Sequence, residues 1–333
     1  MIRVKFSSNA NGFPFLRQTP GGKGRWMDFQ FVYDEHMESC DWWVVYEGLK
    51  QREVVDCPPE NTILVMAEPP SVKVYNPRFV AQFAHSITAN PSLSGKKFIH
   101  NQPALPWLVG WDGEGPNPNR PSDYDAWKNL EFPEKTEALS VVISNKAFTR
   151  GHKRRIEFVR RLKEYFGNQL HLYGRGFNEM RDKWDAIAPY RFHLVLENSI
   201  YPDYWTEKLS DSFLGCAYPF YSGSPAILEY FHADAITPIS VADPEESIKK
   251  IKRAMDKGLD LTNRDALLEA RAKVLEEYNL FAVLKDTINR IGISRRPSRG
   301  GKNTQTVLHS EFELIGLGHR IRSRLHKFAH KLF

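Results

Sequence analysis

The sequence predicts an α/β protein of two parallel-sheet halves facing a central cleft, and three observations lead there. The chain has 333 residues, more than one hydrophobic core usually organises, so two domains are expected. Short, nearly continuous apolar runs in the first half read as strands buried on both faces. The second half alternates strands and helices at βαβ length.

In the first half, residues 2–6, 42–46 (Trp-Trp-Val-Val-Tyr) and 62–66 (Thr-Ile-Leu-Val-Met) are rich in β-branched and aromatic residues and are expected as strands. Residues 18–24 are expected as a loop and 77–84 as a helix. Between 101 and 134 the composition shifts to Pro, Gly, Asn, Asp and Trp, which predicts a long surface segment leading to an interdomain boundary. Beyond it, strands are expected at 139–144, 170–173, 192–196, 218–221 and 235–239. Helices are expected at 151–166, 206–214 and 244–255, and one long helix over 264–290 carries Leu267, Leu268, Ala272, Leu275, Phe281, Leu284 and Ile288 at helical spacing. The domains are therefore placed at 1–135 and 136–292, followed by a tail over 293–333.

Composition excludes disorder, since 41% of residues are hydrophobic, 26% charged and 13% aromatic. The net charge of +6 suggests a nucleic-acid partner until its distribution is read. Nine Lys and Arg against Glu311 and Glu313 give the tail +7, which leaves the body at −1. A nearly neutral body argues against a nucleic-acid-binding globule and for an appended electrostatic element. Cys40, Cys57 and Cys216 are widely spaced and odd in number, which fits a reducing compartment. No secretory signal and no bilayer-length apolar run is evident, so a cytoplasmic protein is expected.

The segment richest in chemistry is Tyr190-Arg-Phe-His-Leu-Val-Leu-Glu-Asn-Ser199, followed by Asp203-Tyr-Trp-Thr-Glu-Lys208. A buried strand ends in the polar residues Glu197, Asn198 and Ser199, where an open α/β sheet presents groups to a ligand. Thr206 is expected to cap the next helix, placing Glu207 and Lys208 in its first turn. Helix amides, the dipole's positive end and the Lys208 ammonium would then favour a diphosphate there. Glu207 could accept bonds from sugar hydroxyls, and Gly215, Pro219, Gly223 and Pro225 would let backbone approach a ligand. The alternative is an ordinary acidic first turn beside a solvated lysine.

This run, Phe-x-Leu-x-x-Glu-Asn-Ser, then Asp-Tyr-x-Thr-Glu-Lys, Gly-x-x-x-Pro and Gly-x-Pro, resembles the donor-binding signature of the α-1,3/4-fucosyltransferases, glycosyltransferase family 10, of bacterial type. Val142-Ile-Ser-Asn145, the basic segment around Arg155, His171-Leu-Tyr-Gly-Arg175 and, more weakly, Ala67-Glu-Pro-Pro70 extend the likeness over roughly residues 60–290. The resemblance implies the GT-B fold, two Rossmann-like domains, and a glycosyltransferase (a hexosyltransferase) that moves L-fucose from GDP-fucose with inversion. The second domain would bind the donor and the first the acceptor. Arg155 and Lys208 match the pair that grips the pyrophosphate, and Asn198, Tyr204 and Glu207 match donor-pocket residues. Glu68 resembles the acidic residue proposed as general base. Arg155 competes with its neighbours Lys153, Arg154, Arg160 and Arg161, and Glu68 with an ordinary turn carboxylate.

Such chemistry needs a base for the acceptor hydroxyl and cations for the departing GDP, and a closed site that excludes water. The one Asp-x-Asp run, Ser122-Asp-Tyr-Asp125, lies in the boundary segment and is expected to be a turn. No essential metal is therefore expected, although Mn2+ or Mg2+ could stimulate product release. In the tail, Leu314, Leu317, Ile321, Leu325, Phe328 and Leu332 line one helical face, with Arg320, Arg322, Arg324, Lys327 and Lys331 around it. That pattern predicts a basic amphipathic helix on an anionic membrane, joined by a flexible linker at 294–305. Docking on the enzyme itself or on a partner is the alternative. A peripheral location at the inner face of the cytoplasmic membrane follows.

The expected acceptor is a glycan, with α-1,3 linkage to N-acetylglucosamine in a surface polysaccharide or lipopolysaccharide (or a glycosylated protein) implied by the resemblance; oligomeric state has no signal. Two other readings compete. One is a transferase of another nucleotide sugar on the same scaffold. The other is a basic nucleic-acid-binding or scaffold protein, against which the neutral body speaks.

Overall fold

The computed structural model describes residues 1–10, 12–33, 35–115, 120–144, 150–292 and 305–314. Its internal contacts form two units, one made of residues 1–104 with the return segment from Leu280, the other of residues 105–279. Both are α/β with largely parallel sheets, as the apolar runs predict.

The first unit is built on β1 (Ile2–Ser8), β2 (Arg25–Trp26), β3 (Phe29–Tyr33), β4 (Trp42–Tyr46), β5 (Glu53–Asp56), β6 (Thr62–Met66), β7 (His85–Thr88) and β8 (Phe98–His100), with the short helix α1 (Pro77–Ala81) between β6 and β7. Seven of these strands form one sheet in the order β2-β3-β1-β4-β6-β7-β8, parallel except for the β2–β3 pair. Every residue of β4 and β6 is buried. That is why their sequences are apolar without alternation. The sequence reading passed over β2, β3, β5, β7 and β8, which are short or interrupted by polar residues, as in Phe-Gln-Phe-Val-Tyr. Helix α1 begins at Pro77 and is capped by Asn76, whose side chain accepts from the Arg78 amide at 2.9 Å. It ends at Ala81, three residues earlier than expected.

The second unit opens with α2 (Tyr124–Lys128) and continues through β9 (Glu137–Val142), α3 (Arg150–Phe166), β10 (Leu170–Tyr173), α4 (Trp184–Ile187), β11 (Tyr190–Leu196), α5 (Glu207–Leu214), β12 (Tyr218–Ser222), α6 (Ile227–Tyr230), β13 (Thr237–Pro238), α7 (Pro244–Asp256), α8 (Leu259–Thr262) and α9 (Arg264–Glu276). Its sheet is wholly parallel, ordered β10-β9-β11-β12-β13. The chain leaves β9 toward one edge and returns past it to β11, so the topological switch point lies between β9 and β11.

The boundary segment departs from expectation in two ways. The segment 105–134 is no mere surface connection: Trp107, Val109 and Trp127 are buried, and Asp211 Oδ1 accepts the Leu108 and Val109 amides at 3.0 and 3.1 Å. The division therefore falls after Ala104 instead of at 135. In the run Ser122–Asp125 the Asp123 carboxylate caps α2 by accepting from the Ala126 amide, so it is a helix start and not a turn.

The long helix expected over 264–290 is also two helices, α9 and α10 (Leu280–Ile291), and the units divide between them. At the break Tyr278 packs against Trp205, Tyr230 and Phe231, its hydroxyl donates to the Tyr230 carbonyl at 3.0 Å, and Asn279 is buried. Helix α10 then joins the first unit, where Phe281 meets Phe31 and Phe6 at ring-centroid distances of 4.9 and 6.0 Å. Further on, β14 (Gln305–Leu308) pairs antiparallel with β5, and Leu308 enters the core beside Trp43, Leu64 and Phe79. Residues 305–308 are thus a strand, not part of a linker and helix. The rest of the linker and the amphipathic helix beyond Leu314 lie outside the described residues. Among those described, no helix is long and apolar enough to cross a membrane.

Candidate functional site

The carboxyl ends of β9 and β11 flank the switch point, and the expected donor residues gather at the end of β11. Glu197 follows β11 directly and is buried. Its carboxylate accepts the Thr206 amide at 2.8 Å and sits 2.8–2.9 Å from the Thr206 hydroxyl. Thr206 is the N-cap of α5, its oxygen accepting from the Lys208 amide at 3.3 Å. The cap expected from sequence is present, and it is tied to the strand end by Glu197.

Lys208 turns back onto this cap. Its ammonium is 3.0 Å from Thr206 Oγ1, 3.3 Å from Glu197 Oε2 and 3.4 Å from Glu207 Oε1, with a quarter of the side chain exposed. Glu207 is also 3.5 Å from Lys183, which lies 2.7 Å from Asp211 Oδ2. The result is a chain of alternating charge, Glu197–Lys208–Glu207–Lys183–Asp211, along the start of α5. Burial alone would favour the neutral form of each acid and base here. At Glu207 the Lys208 and Lys183 charges outweigh it and hold the carboxyl down at about 2. For Lys183 burial is likewise overcome by Asp211 and Glu207, which keep it above the usual lysine range. Glu197, by contrast, is pushed up by burial against the pull of Lys208.

Arg155, on α3 after β9, reaches across the switch point to the Asn198 side-chain oxygen and lies 3.4 Å from the Leu196 carbonyl. Its Nε is buried and has no hydrogen-bond partner among the described residues. Burial lowers its pKa, opposed by Glu197. Asn198 is exposed, whereas Tyr204 is buried with its ring 6.5 Å from that of Tyr201. Five of the six expected site residues therefore belong to the second unit, and Glu68 to the first.

The glycines act differently from expectation. A Cβ on Gly223 would lie 2.2 Å from the Tyr221 hydroxyl and 2.6 Å from Glu197 Cγ, and one on Gly215 would lie 2.5 Å from Ile187 Cγ2. Their space is taken by side chains of the protein, so these glycines permit internal packing around Glu197 and Ile187. Sequence reasoning missed Lys183 and Asp211. The two lie 28 positions apart in the chain, a partnership no local pattern reveals.

In the first unit Glu68 follows β6 and is half-buried. It borders a cavity of about 370 Å3 with Lys73, Tyr75, Thr88 and Asn90 around it and the aliphatic Met66 and Leu93 in its wall. Ala67 and Glu68 donate their amides to Glu47 Oε1 at 2.6 and 3.0 Å. Glu47 was not singled out by sequence. Among the described residues no group of three or more His, Cys, Asp and Glu is placed to hold a metal ion.

A parallel sheet with one switch point, and cations collected beside it at a helix start, places the second unit in the doubly wound class whose ligands sit at that point. Residues 132–239, the segment carrying this cluster, match the family model "Glycosyltransferase family 10 (fucosyltransferase) C-term". Human 4-galactosyl-N-acetylglucosaminide 3-alpha-L-fucosyltransferase 9 is 29% identical over 133 residues, which is 38% of this chain and 36% of that protein. The Pongo pygmaeus enzyme named fucosyltransferase FUT6 is 29% identical over 105 residues, 31% of this chain and 25% of that one. The chain thus spans roughly a quarter to a third of the curated relatives it matches. A solved α1,3-fucosyltransferase aligns over 90% of this chain and 92% of its own, with 15% identity and a TM-score of 0.47.

Proposed function

We propose that the protein is an inverting, GT-B-type fucosyltransferase that transfers L-fucose from GDP-fucose to a hydroxyl of an acceptor glycan. The observation that carries this is the largely buried charge chain at the start of α5, with Arg155 Nε lacking a partner beside it, inside the segment that matches the family 10 model. A guanidinium with an unspent buried donor is suited to an oxyanion. In this reading Arg155 and Lys208 hold the pyrophosphate, and Asn198, Tyr204 and Glu207 line the donor pocket. Glu207, ionised throughout the working pH range, serves as an acceptor for sugar hydroxyls. The acceptor oxygen bonds to the anomeric carbon as the bond from that carbon to the phosphate oxygen breaks. Glu68 takes the hydroxyl proton, and the two cations stabilise the charge gathering on GDP.

The acceptor follows the named activity of the relatives, so α-1,3 linkage to N-acetylglucosamine in a surface polysaccharide or lipopolysaccharide is the first to test. The tail carrying the charge of +7 suits the inner face of an anionic membrane, where such an acceptor would be presented. Calorimetry with GDP and a glycan panel supplied with GDP-fucose, GDP-mannose or UDP-sugars test the reading. Micromolar GDP uptake that Lys208→Gln abolishes, with fucosylated product only from GDP-fucose, is expected. Uptake unchanged in Lys208→Gln would overturn the site, and product from another donor the substrate.

A further inference from the structure

We propose that Glu47 is a positioning residue that fixes the turn presenting Glu68 to the acceptor hydroxyl. This rests on the reading of Glu68 as the base. Glu47 directly follows β4, and β6, whose end leads into Glu68, is the neighbouring strand. Its backbone is left-handed at φ 64°, a conformation non-glycine residues adopt at a cost, and its amide bonds the Val65 carbonyl at 3.0 Å. Its side chain reaches the residues that follow β6, beyond the carboxyl end of that strand.

There the carboxylate collects four donors. Oε1 accepts the amides of Ala67 and Glu68 at 2.6 and 3.0 Å and the Tyr75 hydroxyl, and Oε2 is 3.2 Å from Lys73 Nζ. Two successive amides bound to one oxygen define where the Ala67–Glu68 backbone sits. An ionised carboxylate offers about four acceptor sites. With four donors already in place, Glu47 is suited to hold the turn. Tyr75 is kept protonated, and so a donor, by burial and by the Glu47 charge, which push its pKa well up. Lys73 also donates to the Glu47 carbonyl at 3.0 Å and lies 3.5 Å from Glu311 in the returning segment, so the clamp is braced from a third side. The cavity bordered by Glu68, Lys73 and Tyr75 is the space this clamp shapes.

The test compares Glu47→Gln, Glu68→Gln and the double variant in fucosyl transfer, with GDP calorimetry as a control. Glutamine keeps the size of Glu47 but points an amide group at Lys73 or Tyr75. The expected result is a fall in kcat of about 10–100-fold in Glu47→Gln, since a misplaced catalytic group costs that much. GDP affinity and the KM for GDP-fucose should stay within twofold. Glu68→Gln should lose about 1000-fold or more, and the double variant should be no worse than Glu68→Gln, because Glu47 acts through Glu68. Full kcat in Glu47→Gln with Glu68→Gln inactive would overturn the positioning role and leave the base standing. Multiplying losses in the double variant would also overturn it, as an independent structural effect. An active Glu68→Gln would overturn the base and the clamp together. Should Glu47→Gln fail to fold, Tyr75→Phe removes one donor only and should lower kcat about threefold to tenfold, with unchanged GDP affinity; unchanged kcat would count against the clamp.

Discussion

Glu197 and Thr206 are joined three times: the Thr206 amide reaches Glu197 Oε1 at 2.8 Å, and the Thr206 hydroxyl lies 2.9 and 2.8 Å from the two carboxylate oxygens. A strand end and a helix start are thereby one unit. Thr206→Ala removes the helix cap and leaves part of a buried carboxylate unsatisfied, a loss of about 2–3 kcal/mol. Urea unfolding should show it, and Thr206→Ser should recover most of it. A loss under about 0.5 kcal/mol would mean Glu197 finds other donors.

Lys183 sits between Asp211 and Glu207 at 2.7 and 3.5 Å. Replacement by methionine leaves the buried Asp211 without its cation and Glu207 with Lys208 alone, and breaking such a buried pair costs about 3–5 kcal/mol. Because Glu207 is in that chain, GDP-fucose KM should rise as well. Unaltered stability and KM would show that the charge at Lys183 is dispensable.

His193 is buried and bonded through Nδ1 to Ser140 Oγ at 2.8 Å. Burial, with the nearby Lys183 and Lys135 charges, brings its pKa down to about 3. The unfolded chain would take up this proton near pH 6.5, well before the folded one. Between those values the unfolded state binds more protons, so stability falls as pH drops, by up to about 1.4 kcal/mol per pH unit from this group. Stability curves from pH 7 to 4 should be shallower for His193→Gln; parallel curves would refute the assignment.

Leu308 is buried in the first unit, and Thr306 donates to the Cys57 carbonyl. Leu308→Ala should cost about 2–5 kcal/mol in thermal or urea unfolding, as for any packed leucine. A surface-like loss below about 0.5 kcal/mol would show the returning strand to be undocked.

How far the sequence speaks depends on the range of the interaction. Trp42–Tyr46 and Thr62–Met66 announce themselves because a strand covered on both faces must be apolar throughout. Thr206 was legible as a cap because capping is decided within three residues. The edge strand Phe98–His100 was not, since half-buried residues carry little pattern. The continuous apolar spacing over 264–290 concealed a break, because it records that both helices bury one face and not that they bury it in different units.

By itself the sequence determined the α/β class, the two parallel sheets, the strand-to-helix turn around Glu197–Lys208 and the family signature it carries. Only the tertiary structure decided that Lys183, Asp211 and Glu197 complete the charge chain, that Glu47 grips the turn at Glu68, and that Gln305–Leu308 returns to β5. Buried charges must find partners wherever the fold brings them, and those partners are chosen by proximity in space, which a pattern of neighbours along the chain does not encode.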